Sequence, residues 1–278
     1  MAHGRAGAHR VLPGLRRAET MRPVKDSISG PDSPAWLELT QAFSRRVPDA
    51  DGTLAASVVV VAVFDLDDWQ DFLAQAAAMI DAEESARAAR QRNPDNRDAL
   101  VLTYALHRLL LSRLLGCPPD RVAIHRDAKG CPRLRDDALH TSLSHAGRRV
   151  AFAATGTGPV GIDIEPDVRA RDLPELAERV AHPDEMRQLA ELPAQACGAL
   201  LLELWVRKEA LLKAAGIGLE HEMDTFVAPE GVALRLPGDT FPGQFVALRR
   251  VDCGAGWTMA LAARPGVHAR LVGGGHAG

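Results

Sequence analysis

Lysine is nearly absent from this chain: Lys25, Lys129, Lys208 and Lys213 are the only four among 33 basic side chains, and arginine supplies the rest. Where arginine has taken almost every basic position, a retained lysine points to a place that needs a compact ammonium, for instance against a phosphate. Cysteine is also sparse. Cys117, Cys131, Cys197 and Cys253 stand far apart, with no CxxC pair and no histidines set beside them as zinc ligands. That excludes a disulfide scaffold and reads as free thiols in a reducing, cytoplasmic setting. Neither charge dominates. With 33 basic and 36 acidic residues and a net charge of -3, nothing in the overall electrostatics calls for nucleic acid or an anionic membrane as the main partner. No apolar run approaches the roughly 18 residues of a membrane span, and the N-terminus has no apolar secretory core.

What is present suffices for an ordinary core, since 46% of the 278 residues are hydrophobic. The opening MAHGRAGAHRVLPGLRRAETMRPVK carries six basic residues against one acid, broken by Gly and Pro. It reads as a disordered extension over 1–50, a transit peptide, or a start codon placed ahead of a true Met21. From 54 onward the pattern predicts a buried strand in LAASVVVVAVF, helices in DDWQDFLAQAAAMI and DAEESARAARQR, and a long central helix in NRDALVLTYALHRLLLSRLLG that stops at Gly116. Short strands follow in RVAIHRD and CPRL, then a hairpin in HTSLSHAGRRVAFAAT. The second half repeats the scheme: a strand in PVGIDIEPD, helices in LPELAERVA, PDEMRQLAEL and GALLLELWVRKEALLKAAG, and strands in TFVAPEGVALRLP, QFVALRRVD and WTMALAA. The expectation is an α+β chain of two comparable halves, 54–157 and 158–264, with a disordered tail over 265–278.

Three constellations could carry chemistry. In GIDIE, strand alternation places Asp163 and Glu165 on one face about 6.6 Å apart, with Ile162 and Ile164 toward the core. The pair is either a solvated face or two hard oxygen ligands for a metal. Gly161 before it permits close approach of another backbone or a ligand. In WVRKEALLK, the residues Trp205, Glu209 and Lys213 share one helical stripe with Lys208 beside it, which is either an i,i+4 ion pair next to a core tryptophan or part of a site. In SLSHAGRR, Ser144 and His145 end a strand at a tight turn, where a hydroxyl, an imidazole and turn N–H groups suit an anion.

In this order, SLSHA, GIDIEPD and WVRKEALLKAAGIGL resemble the 4'-phosphopantetheinyl transferases, specifically their long, single-chain Sfp type. The resemblance covers about 54–264. It implies a fold of two α+β halves related by a pseudo-twofold, with the active site in the cleft between them. It also implies a monomer that moves the phosphopantetheine arm of coenzyme A onto a serine of an apo carrier protein and releases 3',5'-ADP. By resemblance, Asp163, Glu165 and Glu209 would hold Mg²⁺, Lys213 would meet the charge on the leaving group, and Glu209, or a water it holds, would act as base. Lys208, Ser144 and His145 would hold coenzyme A phosphates, Asp163 would lie against the same ligand, and Glu185 would be a further catalytic acid.

The chain departs from the family in its basic positions. Cys131 stands where the GxP turn commonly has a lysine or arginine, with Lys129 two residues before it. Of the residues expected to grip the 3'-phosphate, Arg87, Arg90 and Arg97 match, while Glu84 and Ala99 do not. Two other readings follow from the same residues: an impaired coenzyme A or carrier-binding module, and a Mg²⁺-dependent phosphohydrolase.

Overall fold

The computed structural model describes residues 35–50, 54–135, 138–218 and 221–273. Its first half runs α1 (Leu37–Arg46), β1 (Val58–Asp65), α2 (Leu73–Met79), α3 (Ala82–Ala89), α4 (Pro94–Leu115), β2 (Ile124–Arg126), β3 (Pro132–Leu134), β4 (His140–Ala146) and β5 (Arg149–Thr155). The second half runs β6 (Gly161–Pro166), α5 (Ala177–Val180), α6 (Pro183–Ala190), α7 (Ala194–Ala215), β7 (Ala233–Arg235), β8 (Phe245–Arg250) and β9 (Trp257–Ala263), and β10 (His268–Val272) follows.

The halves repeat one topology. β5 lies between β1 and β4, antiparallel to both, and β9 lies in the same way between β6 and β8. Each first strand leads through short helices into a 22-residue helix, and each of these helices ends on a left-handed glycine, Gly116 or Gly216. A positive φ at the helix C-terminus is where glycine costs least.

Alternation along the strands sorts the core into layers. Val60, Ala62 and Phe64 of β1 pack on α4 with Phe152 of β5, while Val59, Val61 and Val63 turn to the other face. There they meet Ile162 and Ile164 of β6 and Met259 and Leu261 of β9. The far face of the second sheet is covered by α7 through Val206, Ala210 and Ala214. The strand face that carries Asp163 and Glu165 is therefore the one that looks toward α7. Among the described residues, no helix is long and apolar enough to cross a membrane.

The structure corrects several expectations. Within the extension expected to be disordered, Leu37–Arg46 is helical because Leu39, Ala42 and Phe43 fall on one face and are buried. Residues 1–34 lie outside the described residues. The tail expected from 265 contains β10, paired in parallel with β1 from Val58↔His268 to Ala62↔Val272. The helix predicted over 67–80 begins as a 3-10 segment, Leu66–Phe72. Of TFVAPEGVALRLP only Ala233–Arg235 is a strand.

Candidate active site

Gly161 opens β6 directly beneath α7, and a Cβ built there would fall 1.9 Å from the Ala210 carbonyl oxygen and 2.5 Å from the Ala214 nitrogen. Glycine thus lets the helix backbone lie against the strand. Glu209 and Lys213, each one residue before a helix residue of this contact, reach the acids of β6: Lys213 bonds to Asp163, and Glu209 feels the charges of Asp163 and Glu165.

Asp163 is 4% exposed. Its Oδ1 accepts from Ser144 Oγ at 2.7 Å and from Lys213 Nζ at 2.6 Å, and Lys213 Nζ also donates to Ser144 Oγ at 2.8 Å. Its other oxygen, Oδ2, is buried without a hydrogen-bond partner. A buried carboxylate oxygen left unsatisfied is costly and calls for an unseen partner. The serines of β4 tie the halves together here: Ser142 Oγ accepts the Ile162 N–H at 3.2 Å, two residues along from the Ser144 bond.

Glu165 pairs with Arg169 Nη1, whose guanidinium lies 4.2 Å from the centre of the Trp205 ring. Glu209 is nearly buried and its carboxyl is pushed up to about 7, first by burial and then by the charge of Asp163, with Lys213 opposing. Glu165 is raised as well, chiefly by burial, with Arg169 opposing. The three acids are thus close enough to act on one another, and each would be relieved by added positive charge. Their donor chemistry fits a small hard cation. Among the described residues, however, no three acidic, imidazole or thiol groups are gathered as a ready-made metal cage, and two of the acids are paired with Lys213 and Arg169.

The stripe read from the sequence holds for Glu209 and Lys213, but not as an i,i+4 pair, since Lys213 reaches across to β6. Lys208 is a correction. Its side chain is fully buried, and Nζ donates to the carbonyls of Val180, Met223 and Phe226 at 2.7–2.8 Å and pairs with Glu185 Oε2 at 2.6 Å. An ammonium has three donors, so none is left for a coenzyme A phosphate. Glu185 is corrected with it. Its Oε2 also accepts the His182 N–H and its Oε1 accepts the Ala228 N–H, so it is neither a solvated acid nor free for catalysis. The pair fastens α6 and the segment 223–228 to α7.

His145 sits on the face of β4 opposite Ser144, in a groove of about 240 Å³ with Gln91, Asn96, Ala99 and Thr103. Although its edge meets solvent, desolvation and then the Lys213 ammonium lower its pKa. The β2–β3 loop approaches the end of α7, with Lys129 Nζ donating to Ile217 O at 3.2 Å. Arg87 lies against the same loop, its guanidinium 3.5 Å from a Cβ placed on Gly130. Arg90 and Arg97 are exposed, and Arg97 pairs with Asp98 at 3.5 Å. Glu84 has a structural task, closing the Asp81 capping box and binding the buried Arg108 at 2.8 Å.

Sequence reasoning missed Arg169 and Ser142. The i,i+4 spacing of Glu165 and Arg169 across a proline-initiated turn was the available signal for the first.

Comparison with known proteins points to one family. The profile of the 4'-phosphopantetheinyl transferase superfamily matches residues 159–244, and that of the 4'-phosphopantetheinyl transferase N-terminal region matches 67–157. The chain is 32% identical to the 4'-phosphopantetheinyl transferase psf-1 of Bacillus pumilus over 60% of its own length and 73% of that protein. It is 32% identical to HetI of Nostoc sp. over 55% of this chain and 67% of that one. To Sfp of Bacillus subtilis it is 28% identical over 67% of this chain and 83% of that one. Across such relatives the matched region spans 60% to 83% of their lengths.

Proposed function

This chain belongs to the 4'-phosphopantetheinyl transferase superfamily, and on that premise we propose that it transfers the phosphopantetheine arm of coenzyme A to a serine of an apo carrier protein. The carrier serine oxygen bonds to the phosphorus that bears the pantetheine arm. The bond from that phosphorus to the bridging oxygen breaks, and adenosine 3',5'-bisphosphate leaves. Catalysis of this kind rests on positioning and on neutralising charge.

The observation that carries the reading is the unpartnered Oδ2 of Asp163 at the point where β6 and α7 bring Glu165 and Glu209 together. Asp163, Glu165 and Glu209 would hold Mg²⁺, which when bound supplies positive charge to the diphosphate. Lys213 would stabilise the leaving phosphate, exchanging part of its contact with Asp163 to do so. Glu209, or a water it holds, would take the proton of the carrier serine. His145 before the turn, with Arg87 and Lys129 at the β2–β3 loop, would offer donors to the coenzyme A phosphates, whereas Ser144, whose hydroxyl already donates to Asp163, is corrected to a positioning partner of that acid. We place this activity in a cytoplasmic monomer acting on polyketide, nonribosomal peptide or fatty-acid carriers.

Incubation with coenzyme A, Mg²⁺ and a panel of apo carriers tests the reading by intact mass. A carrier that gains one phosphopantetheine supports it. Product release without a carrier would favour a phosphohydrolase, and coenzyme A binding with neither outcome would leave a binding module.

A further inference from the structure

We infer that Arg169 is a built-in competitor of the divalent cation, holding Glu165 until a metal takes its place; this rests on the metal reading above. Arg169 stands on the 3-10 turn Asp167–Arg171, which directly follows β6. The turn is firmly held. Thr258 Oγ1 donates to Asp167 Oδ1 at 2.7 Å, the Asp167 N–H donates to Gly256 O at 2.9 Å, and Gly198 of α7 lies against the Ala170 carbonyl, where a Cβ would come within 2.3 Å. With its base fixed, the side chain has two supports, the Glu165 carboxylate and the Trp205 ring.

These supports differ in what they demand. The Glu165 contact uses up an oxygen that a cation would need, whereas the ring contact involves no acid and survives loss of the ion pair. A guanidinium over an indole keeps a favourable contact, so release of Glu165 leaves Arg169 with a resting place. Glu165 is then neutralised by Arg169 without metal and by the metal once it binds. Two positive charges do not share one carboxylate at no cost, so the affinity for the ion is lowered by whatever the Arg169 pair is worth. Lys213 stands in the same relation to Asp163, but on the proposed reading it also meets the substrate phosphate. Arg169 is the member of the pair whose role is separable from phosphate binding.

Calorimetric titration of Mn²⁺ into the coenzyme A-free protein tests this without any turnover. Arg169→Gln should bind Mn²⁺ roughly 1.5-fold to fivefold more tightly than the unaltered chain, as expected for loss of a partly exposed pair. Arg169→Lys, which keeps the charge, should shift the affinity less. Equal or weaker binding by a folded Arg169→Gln variant, with the unaltered protein binding normally, would overturn the inference and leave the metal reading standing. No Mn²⁺ binding by any of the three proteins would overturn both. Far-UV circular dichroism verifies that each variant is folded, and the turn's anchors at Asp167 and Ala170 are untouched by either substitution.

Discussion

Gly161 and Ala210 touch backbone to backbone: the strand that carries two acids and the helix that carries the third are as close as a residue without a side chain allows. Gly161→Ala must push α7 away from β6, because the obstacle is a carbonyl oxygen and not a flexible side chain. Overpacking of this kind costs about 1–3 kcal/mol or more. We expect a lower melting temperature together with a loss of transfer activity larger than the loss of stability explains. An alanine variant with full activity would show that the helix does not set the position of Glu209.

The two lysines of α7 should respond in opposite ways. Lys213 is 26% exposed and, among the described residues, its hydrogen bonds go to Ser144 and Asp163, so Lys213→Ala should transfer slowly and lose less stability than a substitution of the fully buried Lys208. Lys208→Met removes a buried cation from Glu185 and three carbonyls, and breaking such a pair costs about 3–5 kcal/mol. Its loss should appear first in urea denaturation. Combining it with Glu185→Gln, which removes the stranded charge, should restore part of that stability. A stable Lys208→Met with weakened coenzyme A binding would instead return Lys208 to a phosphate-binding role.

Much of the site was legible because strand and helix periods are strict. Alternation in GIDIE placed Asp163 opposite the isoleucines, and the four-residue spacing placed Glu209 and Lys213 on one stripe. Lys208 was misread for a physical reason: its neighbour Glu209 faces the cleft, but what surrounds position 208 is decided by residues 180 and 223–226, which no local pattern connects to it. β10 escaped in a similar way. Its residues 268–271 are exposed and do not alternate, so its strand character comes from pairing with β1. The helix Leu37–Arg46 was legible in its Leu39, Ala42 and Phe43 spacing, but was hidden behind an arginine-rich, Pro-broken opening.

Glu209 should trade stability for function in the metal-free protein. Its folded pKa, about 7, lies above the ordinary 4.5, so the native state favours the protonated acid. The stability it contributes is fully present below 4.5 and is lost as the pH rises through 7. At pH 8 the ionised carboxylate therefore costs up to about 3 kcal/mol. Glu209→Gln, which imitates the protonated form, should be inactive yet more stable than the unaltered protein at pH 8, with the two converging toward pH 4.5. Denaturant midpoints at both pH values test this, and a Gln variant less stable at pH 8 would refute the buried-anion account.

His107 governs a second pH window, away from the cleft. Thr141 Oγ1 donates to Ala153 O at 3.0 Å, so its 2.7 Å contact with His107 Nε2 must be received from an imidazole N–H. That leaves Nδ1 as the unprotonated nitrogen, buried without a partner, in a ring stacked on Phe152. A second proton has nowhere favourable to go, and burial followed by the charges of Arg126 and Arg108 lowers the pKa from 6.5 to about 3. Because the folded value is depressed, stability is complete above 6.5 and falls as the pH drops toward 3. Between pH 7 and pH 5 the loss should be about 2 kcal/mol. His107→Gln keeps a donor for Thr141 but cannot be protonated, so it should be less stable at pH 7 and show a flatter decline on acidification. Parallel slopes for the two proteins in urea melts from pH 7 to 5 would place the acid sensitivity elsewhere.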